Sequence, residues 1–286
     1  MATSEKLLRA VLTRPASRQA DLCEHLTATG WEVLCLPALE LVPLEVVSVQ
    51  PEYHPSRFDW IVFVSRTAWQ VYASGLGGAW SSHTGIAAVG QGTAGVVRRD
   101  FLEDRMRIDH GHNYENGLPD MVTPVAGDSQ DSEGLWRALE PRIKTQSRVL
   151  VVAGRDGRTW LRDQISQSGH ACEVLEVYER RVAPIDVSCA DRLRQWHQDG
   201  RAGCAGAWLF TSAHGIRAIT QTLHSLDILS TLWPDGVVVT HPRLVAPARR
   251  WLEQTRAGPE VPVLVCEPEI HHLVWVFDQW RQNITI

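Results

Sequence analysis

The sequence predicts an α/β protein of two similar domains, each a parallel sheet flanked by helices. Two observations predict it. Apolar runs rich in branched residues alternate with helical stretches, the pattern of strands and helices around a parallel sheet. Three strand-turn-helix units also recur in the same order, roughly 140 to 150 positions apart, so one architecture is written twice. With 286 residues the chain has room for two ordinary cores.

The elements follow in order. Leu8 to Thr13 reads as a short strand. Ser17 then stands where it can cap a helix that places Leu22, Cys23 and Leu26 on one face, and Gly30 ends it where a left-handed residue is wanted. Val33 to Leu36 is the next strand. The same unit returns as a strand over Arg148 to Ala153, a helix marked by Trp160, Leu161 and Ile165, a stop at Gly169 and a strand over Cys172 to Val177. In the second pair, Phe58 to Ala68 resembles Gly206 to Gly215, with Phe63 over Phe210 and Ser65 over Ser212. The third sets Ile86 to Ala94 beside Val237 to Ala246. Leu36 to Leu44 and Val174 to Pro184 are extended, alternating and bounded by proline, which disfavours helix, so they read as a two-stranded connection crossed once in each direction.

Composition excludes several classes. Hydrophobic residues make up 44% and charged residues 21%, as in a globular protein with a core. A net charge of -5 argues against a general nucleic-acid binder, which needs a basic face, while leaving a small anionic ligand open. The six cysteines, none in a C-x-x-C pair, read as isolated buried thiols in a reducing compartment. No secretory signal and no apolar run of spanning length is present, which places the chain in the cytoplasm. The twelve tryptophans, among them Trp31, Trp60, Trp69, Trp136, Trp208, Trp251 and Trp275, are scattered singly and for the most part read as core. Arg105 to Asp131 is polar and His-rich and reads as a surface segment.

The motifs carry a resemblance. Thr13-Arg14-Pro15, Val62-Phe63-Val64-Ser65, Ala88-Val89-Gly90, Ser132-Glu133-Gly134-Leu135, Glu176-Val177-Tyr178-Glu179-Arg180-Arg181, Leu209-Phe210-Thr211-Ser212 and Val239-Thr240-His241-Pro242-Arg243 together resemble the successive motifs of uroporphyrinogen-III synthases over nearly the whole chain. Val64 and Arg66-Thr67 depart from that pattern, in which a Thr and a small-residue-Asn pair are commoner. The resemblance implies two flavodoxin-like, doubly wound domains joined by a two-stranded ladder. The first βαβ unit would belong with the C-terminal third, giving one domain from 1–42 and 183–286 and an inserted domain from 43–182, with the active site in the cleft between them. It also implies a cofactor-free lyase that closes hydroxymethylbilane into uroporphyrinogen III with its last ring inverted through a spiro intermediate. The partners would be this small-molecule substrate, with no nucleic acid and no membrane. The chain would be a monomer, in transient contact with the synthase that makes the bilane.

A substrate with an acetate and a propionate on each ring demands many anion contacts. Turns that end strands and open helices suit this, because their backbone N–H groups are unpaired and the helix dipole favours negative charge there. Such turns also bind ligands in open α/β sheets. The expected substrate contacts are Arg14, Pro15, Ser65, Arg66, Thr67, Gly90, Gln91, Thr93, Arg155, Gly157, Ser212, Ala213, His214, Thr240 and His241. For each hydroxyl in them, plain helix capping is the competing account. Tyr178 matches the family's cleft-facing tyrosine and is the candidate proton donor to the departing hydroxyl, since a phenol of pKa about 10 stays protonated at neutral pH. Packing of the ladder by a strand tyrosine is the alternative. No metal site is expected. The His110/His112 and His271/His272 pairs lack the i, i+4 spacing and carboxylate of a zinc enzyme.

Two other classes remain. A two-domain binding protein without catalysis would use the same turns, although periplasmic examples carry a secretion signal. A flavin or nucleotide enzyme would need a glycine-rich phosphate loop after a strand, whereas Gly75 to Gly78 follows a helix. A receiver-type switch fails because Ser65, not an aspartate, stands at its strand end.

Overall fold

The structure, a computed structural model, describes residues 8–44, 50–76, 79–103, 118–198, 206–258 and 260–284. His110, His112, Cys204, Gly77, Gly78 and residues 105–117 of the polar stretch lie outside them. The chain starts β1 (Arg9–Leu12), α1 (Ala20–Ala28), β2 (Glu32–Cys35), β3 (Leu39–Pro43), β4 (Trp60–Phe63), α2 (Arg66–Gly75), β5 (Gly85–Ala88) and α3 (Gln91–Leu102). It continues β6 (Met121–Val122), α4 (Ser132–Leu139), β7 (Arg148–Gly154), α5 (Trp160–Gln167), β8 (Ala171–Val182) and α6 (Val187–Gln198). Last come β9 (Ala207–Phe210), α7 (Ala213–Ser225), β10 (Gly236–Val239), α8 (Val245–Leu252), β11 (Val263–Val265) and α9 (Ile270–Ile284). No described helix is long and apolar enough to cross a membrane.

The chain divides into two compact units, residues 1–40 with 181–286, and residues 41–180. It leaves the first unit and returns to it through β3 and β8, which are neighbours in one sheet. Their pairing is antiparallel, with the Leu44 N–H donating to Val177 and the Ala183 N–H to Ala38.

In the first unit the sheet order is β2-β1-β9-β10-β11, and every pair is parallel. Numbered by succession this is 2-1-3-4-5, the flavodoxin order. Side chains alternate across it as strand geometry requires. Val11, Trp208, Phe210, Val237 and Val239 join one core under α6, α7 and α8, while Ala10, Leu12, Leu209 and Val238 join another under α1 and α9.

In the second unit β8-β7-β4-β5-β6 are also parallel, with β3 added at the edge. Starting the count at β7 recovers the same 2-1-3-4-5 order, so the chain enters an equivalent fold at its third strand. The sequence repeat is thereby explained: β1 corresponds to β7, β9 to β4 and β10 to β5. Gly30 and Gly169, equivalent positions after α1 and α5, both adopt positive φ, +88° and +84°. Ile61, Phe63, Leu150 and Val152 face a core with α2 and α3, and Val62, Val149 and Val151 face one with α4 and α5.

Three local expectations need correction, and one tryptophan stands outside the core. The first helix starts at Ala20 with Gln19 at its N-cap, because position 17 belongs to a 3-10 turn over Ala16–Arg18. The polar stretch is not all surface, since Met121 and Val122 form β6 against β5 and Val122 is buried. Trp275 is 61% exposed, lying off the Leu273, Val276, Phe277, Trp280 stripe that α9 buries at helical spacing. The five described thiols are free and half-buried but not all isolated. Burial, and then the neighbouring Cys23 thiol, push Cys35 up to about 12.

Candidate active site

Each sheet presents its carboxyl edge as a row of turns. On the first unit the strand order reverses between β1 and β9, the place where open α/β sheets leave a crevice. Buried Thr13 closes that point by donating its hydroxyl to the Leu209 carbonyl at 2.6 Å. Arg14 follows, with a guanidinium nitrogen 3.5 Å from the Pro268 carbonyl. Burial and then nearby Arg18 lower its pKa. Pro15 precedes the 3-10 turn, and the Gln19 amide donates to the Arg14 carbonyl.

The turn after β9 is a true helix start. Ser212 is extended and its hydroxyl accepts the Gly215 N–H at 2.9 Å, which leaves the N–H groups of Ala213 and His214 in the free first turn of α7. Thr240 and His241 are arranged differently. His241 Nδ1 accepts the Arg243 N–H at 3.1 Å and opens a 3-10 turn, and α8 begins only at Val245.

On the second unit the corresponding reversal lies between β7 and β4. A cavity of about 530 Å³ opens there, lined by Val64, Gly154, Gly157, Arg158, Tyr178 and Arg180 among others. Tyr178 is nearly covered, and three features hold it. Its hydroxyl lies 3.2 Å from Ser65 Oγ, Arg180 donates to it at 3.3 Å, and the same guanidinium carbon sits 5.5 Å from the ring centre. Gly154 makes room for the ring, because a Cβ there would fall 2.5 Å from two of its carbons. A register shift at Ala153/Gly154 brings Gly154 opposite Tyr178. The phenol oxygen thus accepts from Arg180, and its own proton is available to Ser65 or to a ligand.

Ser65 caps α2 by accepting the Ala68 N–H at 3.1 Å, with Arg66 and Thr67 in the first turn. Gly90, at φ +80°, is the N-cap of α3. The two turns meet. The Arg66 guanidinium lies so close to Gly92 that a Cβ there would be 2.4 Å from it. Gln91 spends its amide on Thr123 at 3.0 Å, and Thr93 is buried.

The turn after β7 is less open to anions. Asp156 takes a positive φ, Gly157 N–H donates to the Gly154 carbonyl, and α5 begins only at Trp160 without a side-chain cap. Arg155 already meets Glu176 at 3.4 Å and Glu179 at 2.8 Å. A substrate carboxylate would have to displace them.

Of the six expected turns, those at Ser65, Gly90 and Ser212 are therefore helix N-termini; those at Arg14, Gly154 and Thr240 lead into tighter turns. Arg180, which lines the same cavity as Tyr178, was not among the expected contacts. Arg180 stands two residues beyond Tyr178 on the same face of β8, a period-2 signal that could have found it. Among the described residues, Glu267, Glu269 and His272 bring ligand atoms within 4.8 Å of one another. They lie at the surface, with His272 Nδ1 3.4 Å and 3.8 Å from the two glutamates, the arrangement of an ion pair when the imidazole is protonated.

This fold is shared with solved proteins. The uroporphyrinogen-III synthetase of Helicobacter pylori superposes with a TM-score of 0.55 at 12% identity, covering 96% of this chain and 100% of its own. A mutant uroporphyrinogen III synthase of Thermus thermophilus superposes at 0.50 with 13% identity, over 97% and 99% of the two chains. No curated protein sequence matches. At these identities the likeness defines a class of fold, two doubly wound α/β units in a chain that enters the second before completing the first. The sequence itself goes further: residues 20–251 match the family model of uroporphyrinogen-III synthase HemD, and the chain belongs to that family. Membership assigns it uroporphyrinogen-III synthase activity and a tetrapyrrole substrate.

Proposed function

We propose that the carboxyl-edge turns of each unit bind the acetates and propionates of hydroxymethylbilane while Tyr178 protonates the departing hydroxyl. The observation that carries this reading is the Tyr178 hydroxyl set between Ser65 and Arg180 at the wall of a strand-end cavity. The helix starts at Ser65, Gly90 and Ser212 supply N–H donors for carboxylates. Arg14 and Arg66 add charge-assisted contacts.

The first step breaks the carbon–oxygen bond of the hydroxymethyl group. Its oxygen leaves as water and the first ring becomes an azafulvene. The substituted carbon of the last ring attacks the exposed methylene carbon, giving a spiro intermediate. One ring–methylene bond then breaks and re-forms at the other α carbon, and loss of a proton restores the pyrrole. The balance is one water lost and no electrons exchanged, which supports a cofactor-independent lyase. Without the protein the bilane closes with no inversion, so holding one conformation is the main catalytic contribution. The free, half-buried thiols support a reducing compartment, and we place the reaction in the cytoplasm.

Incubating the chain with hydroxymethylbilane and separating the product isomers tests this reading. Excess inverted isomer III is expected. Isomer I alone, at the spontaneous rate, would leave a passive binder.

A further inference from the structure

A groove of about 700 Å³ runs between α7 and α8 on the first unit, starting at the Ala213–His214 turn and continuing well beyond it along the helices. On α7 it is lined by His214, Arg217, Gln221 and His224, spaced i, i+3, i+7 and i+10 so that they share one face. Arg250 and Gln254 line it from the other side, above buried Trp251. From His214 to His224 the stripe is about 15 Å long at the rise of an α-helix.

Its charge is one-sided. The lining holds two arginines and two histidines and no Asp or Glu. The nearest acid, Asp227, lies beyond His224, in a smaller cavity that adjoins the groove through His224 and Gln254. Arg9, Arg137, Arg142, Arg148 and Arg155 each meet a carboxylate. Arg217 and Arg250 meet none among the described residues, although the chain carries a net charge of -5. Two unpaired guanidiniums across one groove, in an acidic protein, make a place for an anion with more than one charge. The upper end of the groove is Ala213 and His214, the free first turn of α7.

We propose that this groove is a carboxylate subsite that takes the acetate and propionate groups of a tetrapyrrole, with Arg217 and Arg250 as its paired cations. The proposal rests on the functional reading above and extends it from backbone turns to a side-chain clamp. Contacts of this kind hold substrate and transition state alike, so they set KM and leave kcat unchanged.

Binding of uroporphyrin III, which carries eight carboxylates, is to be measured by fluorescence on the full chain, alongside coproporphyrin with four. The Arg217→Gln/Arg250→Gln double variant is expected to raise the uroporphyrin dissociation constant about ten-fold, the sum of two modest surface charge contacts. Gln221→Glu, which puts an acid in the groove, should weaken binding in the same direction. The wild-type advantage should shrink in high salt, coproporphyrin should bind less tightly, and the double variant should raise KM at unchanged kcat. All three side chains are exposed, and thermal midpoints equal to wild type will confirm that the variants fold. If wild type yields isomer III while both variants bind uroporphyrin as tightly as it does, the groove is no carboxylate site and the enzymatic reading stands. If wild type yields only isomer I, that reading fails and takes the tetrapyrrole subsite with it.

Discussion

At the residue scale the proposed site turns on Tyr178 and the residues that hold it. A single acid contributes modestly, so Tyr178→Phe should lower kcat about 10- to 100-fold while leaving the fold intact. A stopped assay of isomer III formation checks this, and an unchanged rate removes the proton-donor role. Gly154→Ala tests the same tyrosine from behind. Its methyl group would strike the ring, so turnover should fall with a stability loss of about 1–3 kcal/mol, the usual cost of overpacking. A variant as active and stable as wild type would show that the ring does not need this place. Tyr178 was marked as a candidate in the sequence through the family motif around it. The need for glycine at 154 was not, because it arises only when a register shift sets β7 against β8.

At the scale of single elements, the caps show what a turn motif can and cannot say. Ser65 and Ser212 were aligned by sequence alone, and both cap a helix through the same i, i+3 bond. Ser212→Ala should cost about 1 kcal/mol, the usual value of such a cap, read as a lower denaturant midpoint; no change would mean that water replaces the hydroxyl at no cost. The turns after β1, β7 and β10 also carry polar residues, yet their chains tighten before the helix begins.

Glu32 on β2 binds another element together. Burial opposes its ionisation, but hydrogen bonds from Arg192, Trp196 and Arg9 outweigh this and hold its pKa below the ordinary 4.5. A depressed carboxylate pKa means stability that is complete above the unfolded value and lost as pH falls through the folded one. Denaturation between pH 6 and about pH 3 should therefore show an acid-labile component that Glu32→Gln reduces. Identical pH profiles for the two proteins would discard that account.

On the scale of the whole molecule, the two units have the same strand order but are entered at different strands. The second is a continuous segment with a core on each face of its sheet. Residues 41–180 expressed alone should unfold in one cooperative thermal transition, whereas the first unit needs both of its chain segments. A fragment without a transition would show that the units are not independent.

Hydrophobic period and turn chemistry act over a few residues, so the sequence by itself determined the alternation of strands and helices, the repeat, the strand-end turns and the family motifs around Tyr178. Position in space depends on which strands pair and where they shift register. Tertiary structure alone therefore decided that Arg155 is already matched by two glutamates, that Arg66 lies against the start of α3, that Met121–Val122 closes a sheet edge, and that Arg217 and Arg250 face one groove without a carboxylate.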